Sequence, residues 1–158
     1  MEEGRGKMEK GSGPRTGRCG DVPRRDFGCI GPGFQKHPVL MDGYRRLVAY
    51  RSARFVSLGC FTLARTCWAP WASAVFSQLQ RSALSVQLNI AEGWSFGDSP
   101  TYTRHLAIAH GSAVETAELL SLAADLGLVE AIRLSRIRRA NEVSRLTLLG
   151  LLKVRRPF

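Results

Sequence analysis

An all-α domain of four helices behind an N-terminal tail is the fold class that the sequence predicts, and three observations carry it. Apolar residues recur at helical spacing through most of the chain after residue 39. Glycine, proline and capping residues punctuate those stretches. The first 38 residues, by contrast, hold little that could enter a core. At 158 residues and 44% hydrophobic content the chain suits one domain with a sizeable core and hardly two. The expected division is a tail over 1–38 and a helical domain over 39–158.

The tail, Met1 to Pro38, contains nine of the 16 glycines and four of the seven prolines, with few aliphatic residues and charges of both signs. Such a composition does not bury a core and reads as disordered. It lacks the apolar h-region of a secretory signal and the acid-poor, serine-rich character of a transit peptide, so a cytoplasmic location is expected. Gly31-Pro32-Gly33 is punctuation and not a nucleotide loop, because neither a preceding strand nor phosphate-binding spacing accompanies it.

The first helix is expected to begin near Val39 to Asp42 and to run past Leu58. Leu40, Tyr44, Leu47, Val48, Phe55 and Leu58 share one face there, interrupted by Arg51, which reads as an arginine at the stripe's edge or as a partner at an interface. Between Phe55 and Gln80 the only charge is Arg65, yet a membrane span is not predicted. Arg65 near the middle, Pro70 soon after, and Ser, Thr and Gln throughout break the run of about 20 apolar residues that a span requires. Pro70, between Trp68 and Trp71, marks the turn into helix two, with the tryptophans expected to cover one end of the domain.

Helix two ends in the run Arg81 to Trp94. Leu84, Leu88 and Ala91 recur at helical spacing beside Ala83, Val86 and Ile90, and Gly93 is the expected left-handed stop. Asp98 or Ser99 caps helix three, Pro100 suits its first position, and the pattern then continues from Tyr102 to Leu126 before Gly127. A helical hairpin therefore forms the middle of the chain. Helix three carries two apolar seams, one through Leu106, Ala109, Ala113, Ala117, Leu120 and Ala124, the other through Ile108, Leu119, Leu122 and Leu126. A lone amphipathic helix needs one stripe. The first seam, with Gly111 beside it, suits close approach of another helix; the second suits a neighbouring subunit, so a homo-oligomer is expected.

Helix four, about Glu130 to Val154, places Leu134, Ile137, Asn141, Leu148 and Leu152 near one face, flanked by Arg133, Arg136, Arg138, Arg139 and Arg145. With Lys153, Arg155 and Arg156 these are the candidate nucleic-acid-binding residues; an ordinary solvated helix face is the competing reading. The overall balance, 23 Lys and Arg against 13 Asp and Glu for a net charge of +10, favours an anionic partner.

Asn89-Ile90-Ala91-Glu92-Gly93, preceded by Gln78 to Val86 and followed by Ile108-Ala109-His110-Gly111-Ser112 with Glu115, Glu118 and Ala124-Asp125-Leu126-Gly127, resembles the bacterial four-helix-bundle proteins encoded in intervening sequences of large-subunit ribosomal RNA genes. More weakly, Leu47-Val48-Ala49-Tyr50 resembles that family's first helix, so the likeness spans about 39–154. The resemblance implies an up-and-down antiparallel four-helix bundle, often a homopentamer, and kinship with the basic accessory variability protein of diversity-generating retroelements. At positions matching the family motif, Arg81, Asn89, Glu92, Ser112 and Glu118 read as a polar network between helices two and three that fixes register or a subunit interface, with ligand binding as the alternative. Two departures matter. Gln87 stands where the family commonly has proline, which predicts a straighter helix two, and Ser95-Phe96-Gly97 replaces a loop that is often basic.

Catalytic constellations are not evident. His105 and His110, five apart on a helix, turn away from each other, and His37 lies in the tail. Cys19, Cys29, Cys60 and Cys67 lack zinc-knuckle or dithiol spacing and read as free thiols. Glu115 and Glu118 share a face, but the Glu-x-x-His of a carboxylate-bridged metal bundle does not follow. The expectation is a non-enzymatic oligomeric bundle with no metal or cofactor and no membrane span, contacting RNA or DNA through basic helix faces. The alternative is a protein-interaction scaffold that binds no nucleic acid.

Overall fold

Helical periodicity, short connections and correctly placed stop residues give four consecutive α-helices. In the computed structural model of the chain residues 43–154 are described, and among them α1 (Val48–Thr66), α2 (Ser73–Trp94), α3 (Pro100–Asp125) and α4 (Ala131–Val154) follow a 3-10 turn at Gly43–Arg46. The expected tail, Val39 to Asp42, and Arg155 and Arg156 lie outside the described residues. The expected first helix, running unbroken from near Val39 to Asp42 past Leu58, is corrected: Gly43–Arg46 is a 3-10 turn, Leu47 is extended and α1 begins at Val48. Each helix packs on two others, α1 and α3 both meeting α2 and α4, which is the square of an up-and-down four-helix bundle. No helix among the described residues is long and apolar enough to cross a membrane.

The helix ends follow local chemistry. Ser99 caps α3, its Oγ accepting from the Tyr102 amide at 3.3 Å, and Pro100 occupies the first turn where its missing N–H costs nothing. Gly127 closes α3 at φ +68°, with its amide and that of Leu128 donating to the Ala124 and Ala123 carbonyls. Pro70 opens a 3-10 turn, Pro70–Ala72, that leads into α2. Gln87 leaves α2 continuous over 22 residues and donates its amide to the Tyr50 hydroxyl at 3.2 Å.

Gly93 does something other than the expected stop. It is buried within α2, which continues to Trp94, and the left-handed residue is Gly97 at φ +61°. A Cβ on Gly93 would lie 2.9 Å from the Cβ of His105, so the glycine is there to let α3 approach. Gly111, for which close approach was expected, faces open space within the chain.

The core divides into two apolar clusters. One gathers Val56, Cys60, Leu63, Phe76, Leu79, Leu120, Leu134 and Ile137; the other gathers Tyr50, Ala53, Val86, Ile90, Tyr102, Leu106, Ala109 and Leu148. The buried polar residues among those described are Ser57, Ser82, Thr116, Asn141 and Ser144, the last two both on α4. All five are hydrogen-bonded, Ser144 Oγ donating to the Ala49 carbonyl of α1 at 3.2 Å. Ser57 Oγ donates to the Ala83 carbonyl at 2.9 Å, Thr116 bonds the Ser82 hydroxyl at 3.0 Å, and Asn141 Nδ2 donates to the Ala113 carbonyl at 2.8 Å.

Three expectations about burial are corrected. On α1 the inward face is Ala49, Tyr50, Ala53, Val56, Ser57 and Cys60, whereas Val48, Phe55 and Leu58 of the expected stripe are 50–60% exposed. Small residues win the inward position because they let the helices close up; Gly59 meets Ile137 of α4 this way. Trp68 and Trp71 are exposed and do not cover the bundle end. Leu84 and Leu88 also lie at the surface, with Phe76, Leu79, Ala83, Val86 and Ile90 carrying the α2 core instead.

Candidate functional site

Charge is distributed unevenly over this square. α1 carries three arginines and no acid, and α4 five arginines, one lysine and the single acid Glu142, a net of +8 for that pair. α2 balances Arg81 against Glu92, while α3 sets Arg104 against Glu115, Glu118 and Asp125, a net of −2 for the other pair. The α1/α4 side is thus strongly basic and the α2/α3 side faintly acidic.

Helical phase sends the α4 arginines to different tasks. Arg133, in the first turn, reaches back to the end of α1 and donates to Thr66 Oγ1 at 3.0 Å and Cys67 Sγ at 3.1 Å. Arg138 turns the other way and donates to the Leu120 carbonyl at 3.2 Å. Arg145 forms a two-pronged pair with Glu142 at 2.7 and 2.9 Å. Its hydrogen bonds hold the Glu142 carboxyl below the usual carboxylate range. Arg136 and Arg139 are exposed, with no acidic partner among the described residues. Of the seven arginines expected to bind nucleic acid, three are engaged within the fold, two are open to solvent, and two lie outside the described residues.

Arg136 and Arg139 border a surface hollow of about 500 Å³ between α4 and α1, floored by Phe55, Ala140 and Val143. A smaller hollow of about 310 Å³, lined by Val48, Arg51, Ser52, Phe55 and Ala140, continues it along α1. Phe55 and Ala140 belong to both. The result is a shallow groove with an aromatic and aliphatic floor and a rim of three arginines. Sequence reasoning placed Phe55 in the core and so missed the groove. The signal was Arg51 inside an apparently apolar stripe, since a charge at that phase marks the stripe as outward-facing.

The expected polar network exists in part. Asn89 Nδ2 donates to the Ser85 carbonyl at 2.9 Å, which leaves its Oδ1 to accept from His105 Nδ1 at 3.0 Å. Ser112 Oγ bonds Ser85 Oγ at 2.9 Å, and Gln78 bonds Glu115. With Ser82 and Thr116 these pairs form a polar seam along α2 and α3. Arg81 and Glu118 are exposed outside it, and Glu92 departs from the expected burial: its side chain is 61% exposed and comes no nearer than 3.9 Å to His105. Helical phase decides this: Gly93, one residue on, is the position that turns to α3, and about 100° of rotation leaves Glu92 facing outward. Gln78, Ser82, Ser85, His105, Glu115 and Thr116 are the members that sequence reasoning did not place in the network. Phe96 stacks on the His105 ring at 5.4 Å and 11°.

Burial pushes the Cys60 thiol up to about 12, and the residue is wholly inaccessible, which makes it an inert core thiol. No group of three or more His, Cys, Asp or Glu that could hold a metal ion occurs among the described residues.

Four antiparallel helices around an alanine- and leucine-rich core with a polar belt define a small helical bundle. Residues 45–148 match the profile of the 23S rRNA-intervening sequence protein family, and the chain belongs to that family. The comparison with curated proteins gives no match.

Proposed function

We propose that the chain is a non-enzymatic accessory bundle that works as a homo-oligomer in the bacterial cytoplasm and contacts RNA or DNA through the phosphates bound by its α1/α4 face. The one-sided charge, +8 on α1 and α4 against −2 on α2 and α3, carries this reading. Phosphate binding by arginine releases condensed counterions and needs no base contact, so affinity without sequence preference is expected. Oligomerisation is supported by the second seam of α3, where Ile108, Leu122 and Leu126 are each over 40% exposed, and the family resemblance favours a pentamer. A ring would repeat the basic face, and weak contacts linked in this way gain by multivalency.

The test is binding to mixed RNA and DNA over a salt series. Affinity should fall with the logarithm of salt, and Arg136→Gln with Arg139→Gln should weaken binding and reduce the slope by about one for each arginine removed. Helical content and assembly mass should not change, because neither residue supports the fold. An absence of binding at about 50 mM salt, where such contacts are strongest, would replace this reading with a protein-interaction scaffold.

A further inference from the structure

We infer that the groove between α1 and α4 is a site for single-stranded nucleic acid, with Phe55 as the surface on which a base stacks. This rests on the reading that the basic face contacts nucleic acid, and it adds which form is bound and where.

Phosphate contact alone explains arginines but not the floor between them. Phe55 is 50% exposed and Val48 56%, and Phe55 lies at the junction of the two hollows, with Arg51 on one side and Arg136 and Arg139 on the other. A half-exposed aromatic ring inside a cationic rim presents a π-face to whatever the arginines attract. Duplexes keep their bases stacked on one another, whereas a single strand offers free base faces beside its phosphates. Aromatic platforms in positively charged grooves use that difference, and because every base has a π-face the contact is tolerant of sequence.

Charge complementarity decides against a second copy of this chain as the occupant. α1 contains no acid, and the one acid of α4, Glu142, is paired with Arg145, so Arg51, Arg136 and Arg139 must find their counter-charge elsewhere. The α2/α3 side of a neighbouring copy offers a net of only −2 over two whole helices. Its four acids, Glu92, Glu115, Glu118 and Asp125, are accompanied by Arg81 and Arg104, so the field that would draw a second copy's α2/α3 side onto three arginines is weak beside that of a polyanion. A nucleic acid strand supplies one negative charge per nucleotide and so offers several counter-charges to one rim of arginines.

The experiment uses the full chain and short labelled oligonucleotides: a mixed single strand, the duplex of the same sequence, and inorganic polyphosphate as a polyanion without bases. The single strand should bind more tightly than the duplex. Phe55→Ala should weaken the single strand on the order of tenfold while leaving the duplex, the polyphosphate and the salt slope unchanged. Phe55→Tyr should retain the preference, and the added tryptophan of Phe55→Trp should be quenched by the single strand and not by polyphosphate. Arg136→Gln with Arg139→Gln should weaken all three ligands together.

Equal affinity for single strand and duplex, with no effect of Phe55→Ala on either, would overturn the stacking site while leaving the phosphate reading intact. No binding of any of the three ligands removes both. A change in assembly mass on Phe55→Ala, without a selective loss of single-strand binding, would assign the groove to self-association and overturn the proposal.

Discussion

The two halves of the bundle divide polarity in opposite ways. Between α2 and α3 polar side chains meet in a seam from Ser82 and Thr116 to Asn89 and His105, and the net charge of the two helices is small. Between α1 and α4 the contact is mainly small and aliphatic, with Gly59 against Ile137, one buried hydrogen bond from Ser144 to the Ala49 carbonyl and Arg133 reaching the end of α1, and most of the charge is displayed outside. Directional hydrogen bonds fix the register of one helix on another, because each must find its partner at a set height. An exposed arginine adds little to stability but sets the long-range field. The α2/α3 contact therefore carries a longer run of register-fixing hydrogen bonds, and the α1/α4 side carries most of the displayed positive charge.

The largest effect that would break this division is steric. Gly93→Ala puts a Cβ at 2.9 Å from the Cβ of His105, an atom fixed to the α3 backbone, so the hairpin must open slightly. A loss of about 1–3 kcal/mol in denaturant unfolding is expected. Gly111→Ala, at an exposed helical position with open space around it, should instead gain about 0.5–1 kcal/mol. Equal effects of the two substitutions would show that α2 and α3 are not held at close range.

The next test lies in the other half and depends on pH. Cys60 of α1 has a folded value pushed up to about 12 from about 9, so its thiol stays protonated in the native state while the unfolded thiol ionises. The contribution is complete below the unfolded value and is lost as pH rises between about 9 and 12. Stability should fall by up to about 1.4 kcal/mol per pH unit in that window, and Cys60→Ala should lessen the slope. A thiol reagent should label Cys60 only on unfolding. Rapid labelling of the native protein would mean that the α1/α4 half opens locally.

The smallest effect concerns Glu92, which the sequence motif places at the α2/α3 contact. With its side chain 61% exposed and His105 3.9 Å away, Glu92→Ala should alter stability by no more than about 0.5 kcal/mol. A drop in melting temperature together with a smaller assembly would give Glu92 a partner on a neighbouring subunit.

Residue chemistry by itself determined the helices, their order and the two ends of α3, because those depend on neighbours in the chain. Ser99 before Pro100, and Gly127 after Leu126, act within one turn, so their roles can be read without tertiary contacts. The buried face of α4 was legible for the same reason: Leu134, Ile137, Asn141 and Leu148 are its inward residues as the spacing required. What only the tertiary structure decided was which of two plausible faces turned inward and which polar groups met. On α1 the bulky stripe of Val48, Phe55 and Leu58 lost the core to Ala49, Ala53, Val56 and Cys60, because helices pack closely where side chains are small, and hydrophobicity alone does not record that distance. Arg133, Arg138 and Arg145 look alike in the sequence as members of a basic run, yet a helical turn of about 100° per residue sends them to the end of α1, a carbonyl of α3 and Glu142. Arg136 and Arg139 alone of those five were left on the outer face beside Phe55, since the groove exists only once α1 has been laid against α4.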